Sequence, residues 1–193
     1  MNRIYFVTMN QRKLSEAEAF VEAYAAEARQ QVTLCHVPLG LTELMTADIE
    51  EIVRSKAVEA YRHFGLPCVV EHSGLFLKAL HNLPGVLGGM IWHSIGERMC
   101  GFVAEGEARD AVARSVVGYC DGRRVRLYPG ETPGRIAERP SGEYDFCWDT
   151  IFIPEGHTET YGDLGFEGKR ATSPAAQAWH KFLADVLPRG RTF

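Results

Sequence analysis

The chain has 193 residues, 46% of them apolar and 24% charged, with a formal net charge of -4. That length suits one large domain or two closely joined lobes with a real core, and the composition is that of an ordinary soluble protein. The acidic balance argues against a groove that holds long nucleic acid through bulk charge, and no apolar run is long enough to span a bilayer. A single nucleotide, which needs only a few local cations and often a divalent metal, stays open.

The five cysteines, Cys35, Cys68, Cys100, Cys120 and Cys147, are odd in number, widely spaced and without a CxxC pair. That is neither a zinc pattern nor a disulfide framework, and they read as small core residues. The first residues run straight into a strand pattern rather than a signal peptide, so a reducing cytoplasm is the expected compartment.

Residues 4–7, Ile-Tyr-Phe-Val, form the first strand, and the loop from Thr8 to Lys13 opens a helix that runs to about residue 29. Leu14, Ala17, Phe20, Val21 and Tyr24 recur at helical spacing and mark its buried face. A second strand covers 32–37. Asp48 caps a second helix to about residue 64, with Ile49, Ile52, Val53, Ala57 and Ala60 inward, and Gly65-Leu66-Pro67 ends it. Cys68-Val69-Val70 reads as a short buried strand that stops at Glu71-His72-Ser73-Gly74. Residues 85–90 are glycine-rich and predict a bend, and 91–104 are weakly helical. Strands at 111–120 and 124–128 flank the turn Asp121-Gly122, a separate short strand covers 134–137, and 146–154 hold a further apolar run. Ser173 caps a last helix to about residue 186, followed by a loose basic tail, Pro188 to Phe193. Strand–helix alternation followed by hairpins predicts an α/β fold with a mixed sheet. With no repeat and no clear linker, residues 1–193 are expected to form a single domain.

Four segments carry candidate chemistry. Thr8-Met9-Asn10-Gln11-Arg12-Lys13 joins a strand end to a helix N-terminus, a natural anion site. Lys13 in the first helical turn is electrostatically disfavoured by about 0.3–1 kcal/mol unless an anion sits beside it; the segment equally suits a solvated lysine with Asn10 as a plain N-cap. Lys56 falls at the edge of a buried helix face, where it could also snorkel outward. Glu71-His72-Ser73-Gly74 sets an acid and an imidazole, groups that bind metals or move protons, where strand ends hold ligands in open sheets; it also suits a polar turn. Phe146-Cys147-Trp148-Asp149-Thr150-Ile151-Phe152 flanks an acid with aromatics, which stack on a base or simply fill core.

These segments occur in the order of one family. The chain resembles the inosine/xanthosine triphosphate pyrophosphatases along nearly its whole length. The family's T-G-N-x-x-K-x-x-E appears as Thr8-Met9-Asn10 through Lys13 to Glu16, and its K-A-x-x-A as Lys56-Ala57 through Ala60. Its E/D-D-S-G-L is similar to Glu71-His72-Ser73-Gly74-Leu75, with Ala79-Leu80 and Pro84-Gly85 following. Gly134-Arg135-Ile136, the segment Asp145 to Phe152, Thr160-Tyr161-Gly162-Asp163-Leu164 and the stretch Gly168 to Ala178 match its later motifs.

The resemblance implies an elongated mixed β-sheet with flanking helices, two lobes around a central nucleotide cleft, and a homodimer. It implies metal-dependent hydrolysis of a nucleoside triphosphate to monophosphate and pyrophosphate, with no membrane partner. Thr8, Asn10, Lys13 and Ser73 would bind the substrate's polar end, Lys56 would neutralise developing charge, and Glu71 with Glu43 would hold Mg²⁺. Phe146 and Trp148 would face the base, with Asp149 and Lys169 nearby.

Three departures qualify it. His72 stands in place of the second acid of the family's pair; an imidazole accepts protons near neutral pH but suits Mn²⁺ or another softer divalent metal better than Mg²⁺. Pro174-Ala175 replace a His-Arg pair that grips the base, so weaker or altered base discrimination is expected. Met9, Asp145 and Cys147 replace glycines and Thr150 a proline, which would crowd the phosphate loop and base pocket. A nucleotide-binding protein with impaired catalysis is the alternative.

Overall fold

The computed structural model describes residues 2–143 and 146–187; the expectations for Asp145 and for the tail 188–193 lie outside them. Among the described residues seven strands form one mixed sheet in the order β2-β1-β3-β5-β6-β7, with β4 paired to β3. The strands are β1 (Asn2–Val7), β2 (Val32–Val37), β3 (Cys68–Leu77), β4 (Leu83–Gly85), β5 (Asp110–Cys120), β6 (Val125–Ile136) and β7 (Phe152–Pro154). The helices are α1 (Gln11–Ala28), α2 (Ile49–Phe64), α3 (Gly88–Ile95), α4 (Tyr161–Thr172) and α5 (Pro174–Val186). β1 lies parallel to β2 from Asn2↔Val32 to Val7↔Val37 and parallel to β3 at Phe6↔Val69. β4 runs antiparallel to β3, and β7 antiparallel to β6. Parallel neighbours need crossover connections, and α1 and α2 supply them. Among the described residues no helix is long and apolar enough to cross a membrane.

The chain divides into two compact units. Among the described residues, the first comprises 2–72, 116–129 and 176–187. Its core holds every residue assigned to the inner faces of the first two helices, Leu14 through Tyr24 on α1 and Ile49 through Ala60 on α2. Asn10 and Asp48 cap these helices, each accepting two backbone N–H groups, as short polar side chains do at an N-terminus. Phe6, Trp179 and Phe182 form an edge-on aromatic stack. The second unit comprises residues 73–115, 130–143 and 146–175, around a core that includes Leu75, Leu77, Met99, Ile136, Trp148, Ile151, Phe152 and Tyr161.

Three expectations need correction. β3 does not stop at Val70 but continues to Leu77, so Glu71 and His72 are buried within a strand rather than standing beyond its end. The run of charge and glycine suggests a turn, yet Leu75, Phe76 and Leu77 resume the apolar pattern and pair with β4. Residues 125–136 form one strand, not two; the prolines at 129 and 133 interrupt the sequence signal without ending the strand. α4 has no counterpart in the expected elements. Its start is marked by a capping box, in which Thr160 accepts from the Asp163 N–H and Asp163 accepts from the Thr160 N–H, a signal readable in Thr160-x-x-Asp163. Its interior kinks at Gly165, where φ is 64°.

α2 seats on the sheet through a contact that leaves no spare volume: a Cβ at Gly118 would stand 2.4 Å from Val53 Cγ1 and 3.3 Å from Val70 Cγ2. Gly118→Ala is therefore expected to destabilise the protein by about 1–3 kcal/mol through overpacking. Urea unfolding measures this, and a midpoint equal to that of the unsubstituted protein would show that α2 has room to move.

Candidate active site

In the first unit, β1 ends at Val7 and the next residues build a tight turn. The Asn10 N–H donates to Thr8 Oγ1 at 3.1 Å, and Asn10 Oδ1 accepts from the Arg12 and Lys13 N–H groups at 3.0 and 3.1 Å. His36 on β2 anchors this turn, its Nε2–H donating to the Thr8 carbonyl at 2.9 Å. Met9 projects to solvent, 64% exposed, so the side chain that replaces the family's glycine is not packed into the turn.

The first turn of α1 thus directs Lys13 inward, and its ammonium lies 3.2 Å from Glu71 Oε1. Glu71 is a buried carboxylate in the middle of β3. Its second oxygen accepts the indole N–H of Trp179 at 3.0 Å. Ion-pairing and hydrogen bonding to the charged form are what make a buried carboxylate tolerable.

Glu43 comes from the loop between β2 and α2. That loop is tied to α2 through Glu59, which accepts from the Thr42 N–H and hydroxyl, and through Thr46, which donates to Glu51. Lys56, whose side chain is only 14% exposed, donates to Glu43 Oε1 at 2.7 Å. His72 Nδ1 lies 3.5 Å from the same oxygen. His72 and Lys56 together hold the Glu43 carboxyl far below the usual carboxylate range, against the opposing effect of partial burial. Burial lowers the Lys56 ammonium from its ordinary value, offset in part by Glu43; Lys13 and Glu71 also act on it electrostatically. Glu43, Lys56, His72, Lys13 and Glu71 are therefore one electrostatic cluster of two carboxylates, two ammonium groups and an imidazole.

Among the described residues no three or more His, Cys, Asp or Glu side chains form a ready metal cage. Hard divalent cations held with a nucleotide commonly take one or two carboxylates and complete their shell with phosphate and water. Glu43 and Glu71 fit that donor chemistry, since a carboxylate oxygen accepting one hydrogen bond retains a second lone pair. His72 contributes a nitrogen, which suits a softer metal.

The second unit gathers the remaining candidates. Asp149 lies in the short 3₁₀ turn Cys147–Thr150 and accepts from the Lys169 ammonium of α4 at 2.7 Å, with both side chains buried. That ammonium also stands 4.8 Å from the ring centre of Phe146 and 5.8 Å from that of Tyr161, so an aromatic cage favours its charge. Burial raises the Tyr161 phenol, keeping it neutral. Trp148 is a core residue, packed within reach of Gly88 and Leu75. Cys147 has φ of 53°, the left-handed conformation that glycine adopts without strain; the backbone keeps the glycine-like turn although the side chain has changed. Thr150 is buried, and its hydroxyl has no hydrogen-bond partner among the described residues. Ser73 bonds to Ser115 at 3.2 Å. Ala175 is packed into the fold at the start of α5.

The Ham1 family profile matches residues 4–185. The chain belongs to the Ham1 family. A relative named dITP/XTP pyrophosphatase, from Methanopyrus kandleri, is 38% identical over 182 residues, covering 93% of this chain and 94% of its own. Inosine triphosphate pyrophosphatase 2 of Trypanosoma cruzi is 35% identical over 180 residues, covering 92% and 88%. Among solved structures, a HAM1 protein from Coxiella burnetii superposes with a TM-score of 0.81 at 24% identity, covering 98% of this chain and 100% of that one. The mixed α/β fold with a seven-strand sheet and flanking helices matches these structures.

Three supporting residues escape a reading by motif: His36, Glu59 and Trp179. Only Trp179 left a signal, as a large aromatic on the inner face of the last helix, and that signal reads as packing.

Two measurements check the electrostatics. Lys169→Met removes the cation beside a buried carboxylate and is expected to cost about 3–5 kcal/mol, whereas Asp149→Asn combined with Lys169→Met recovers most of it; a double-mutant cycle in urea reads the coupling. Glu43 has a depressed pKa in the folded state, so its stabilising contribution is complete above the ordinary glutamate value, about 4.3, and declines as pH falls below it. Glu43→Gln should therefore be less stable than the unsubstituted protein at neutral pH, with the gap narrowing below about pH 4. A gap that does not change between neutral and acid pH would contradict this.

Proposed function

We propose that the protein hydrolyses a nucleoside triphosphate to the monophosphate and pyrophosphate, with a purine base as substrate and deaminated bases included. The observation that carries this reading is the first unit's cluster, which places Lys13, Lys56, Glu43 and Glu71 together behind the Thr8–Lys13 turn. The names of the relatives support it: at 38% and 35% identity over more than nine-tenths of the chain, they are called dITP/XTP and inosine triphosphate pyrophosphatases.

In this reading Thr8, Asn10 and Lys13 bind the phosphates, with Ser73 contributing a hydroxyl. Lys56 stabilises negative charge that develops on phosphoryl oxygen, the kind of fixed electrostatic aid that dominates phosphoryl transfer. Glu71 and His72 orient the attacking water and take up its proton. Glu43 and Glu71 are the residues to hold Mg²⁺, which would add positive charge at the phosphates; His72 widens the choice to Mn²⁺ or another divalent ion. Phe146, Asp149 and Lys169 are assigned to the base, with Trp148 as the packed support behind them. The absence of the His-Arg pair at Pro174-Ala175 favours altered base preference. A homodimer and a cytoplasmic location complete the proposal.

The second reading, a nucleotide-binding protein with impaired turnover, is favoured by one observation: His72 occupies the position of an expected acid. A pyrophosphate-release screen over ordinary and deaminated nucleoside triphosphates, with Mg²⁺ and then Mn²⁺, separates the two. Release is expected from purine triphosphates, and Lys13→Ala should lower kcat/KM by about 10²-fold or more. No release from any nucleotide, with a nucleotide-dependent rise in melting temperature, would establish the second reading instead.

A further inference from the structure

Two of the partners of Glu71 differ in character. Lys13 approaches Oε1 on a flexible four-carbon stem, its side chain 16% exposed. Trp179 approaches Oε2 from α5 with no exposure at all. Its ring packs edge-on to Phe6 at 5.0 Å and to Phe182 at 5.7 Å, so turning the indole away from Glu71 would disturb both contacts. A phosphate entering the cluster competes for the lysine, which is cationic and carried on a long stem. It does not compete for the buried indole.

We propose that Trp179 is a positioning residue of the active site: its N–H fixes the Glu71 carboxylate so that Oε1 stays presented when Lys13 turns to substrate. Apolar packing alone does not require a ring nitrogen aimed at a carboxylate. Its N–H is accounted for by the carboxylate, as buried indoles require. This rests on the reading above that Glu71 serves hydrolysis, and it adds a residue from the last helix to the set that determines the site's geometry. Outer partners that orient metal-binding carboxylates typically change metal affinity or activity 10–100-fold when removed.

The test replaces Trp179 with phenylalanine and, by site-specific incorporation, with benzothienylalanine, which keeps the fused ring and substitutes sulfur for the N–H. Urea unfolding first confirms that the benzothienyl protein is folded. Three readouts follow: kcat and KM for dITP, the half-saturating Mg²⁺ concentration, and Mn²⁺ binding without nucleotide, followed by electron paramagnetic resonance. The expected result for the benzothienyl protein is KM within about twofold of the original, kcat lower by about tenfold, and both metal measures weakened by about tenfold. Unchanged metal binding and unchanged kcat in a folded benzothienyl protein would overturn the proposal. If the unsubstituted protein releases no pyrophosphate yet binds Mn²⁺ more tightly than the benzothienyl protein, the hydrolase reading fails while the positioning role stands. If it does not bind Mn²⁺ either, both fall.

Discussion

A carboxylate buried in the middle of a core strand is the constraint around which the first unit is built. Glu71 sits between Val70 and His72 on β3, and all three are shielded from solvent. An ionised group in such a place costs several kcal/mol unless charge and hydrogen bonds meet it. Two elements distant in sequence supply them, α1 through Lys13 and α5 through Trp179. The first helix must therefore begin close to the end of β1, which Asn10 secures as N-cap, and the last helix must return to β3. An alanine-rich α1 and an aromatic α5 are the sequence's means of meeting these two demands.

The second acid is handled differently. Glu43 is more than half exposed and lies on a loop, so it needs no burial to be charged; what it needs is a fixed position. Glu59 and Glu51 hold its loop against α2 through Thr42 and Thr46, and Lys56, one turn before Glu59, meets the carboxylate itself. One helix face thus carries both the cation and the clamp. Glu43 in turn favours the charge on Lys56, which burial opposes. A surface ion pair contributes little by itself; here its consequence is an ammonium kept charged in a half-buried place beside two carboxylates.

Much of this was legible from the chain. The inner faces of α1 and α2 follow directly from helical spacing, and both caps fall on the residues expected of them, Asn10 and Asp48. The order of the motifs identified the family, and with it the mixed sheet. What was not legible depended on tertiary partners. The strand through Glu71-His72-Ser73-Gly74 looks interrupted because its polar residues are satisfied by Trp179, Lys13 and Ser115, residues far away in sequence. β6 looks like two strands because its prolines read as breaks. α4 escaped because its apolar pattern is broken by Gly162, Gly165 and Gly168, although its capping box stands in plain sequence. Trp179 gave only a packing signal, since nothing local marks an indole N–H as aimed at a carboxylate.

The second unit states the same physical problem with a different answer. Asp149 and Lys169 are both buried and meet at 2.7 Å, yet neither residue type at its position suggests a core pair. The acid lies in a tight 3₁₀ turn, and the cation lies in the last turn of α4, where the helix dipole favours positive charge. Phe146 and Tyr161 then surround the ammonium with ring faces rather than water. A pair of this kind stabilises little compared with apolar packing, but breaking it is costly, so it tolerates change poorly at either member. The acid and its cation thus hold the same turn that carries Cys147 and Thr150, two positions where the chain differs from the family pattern.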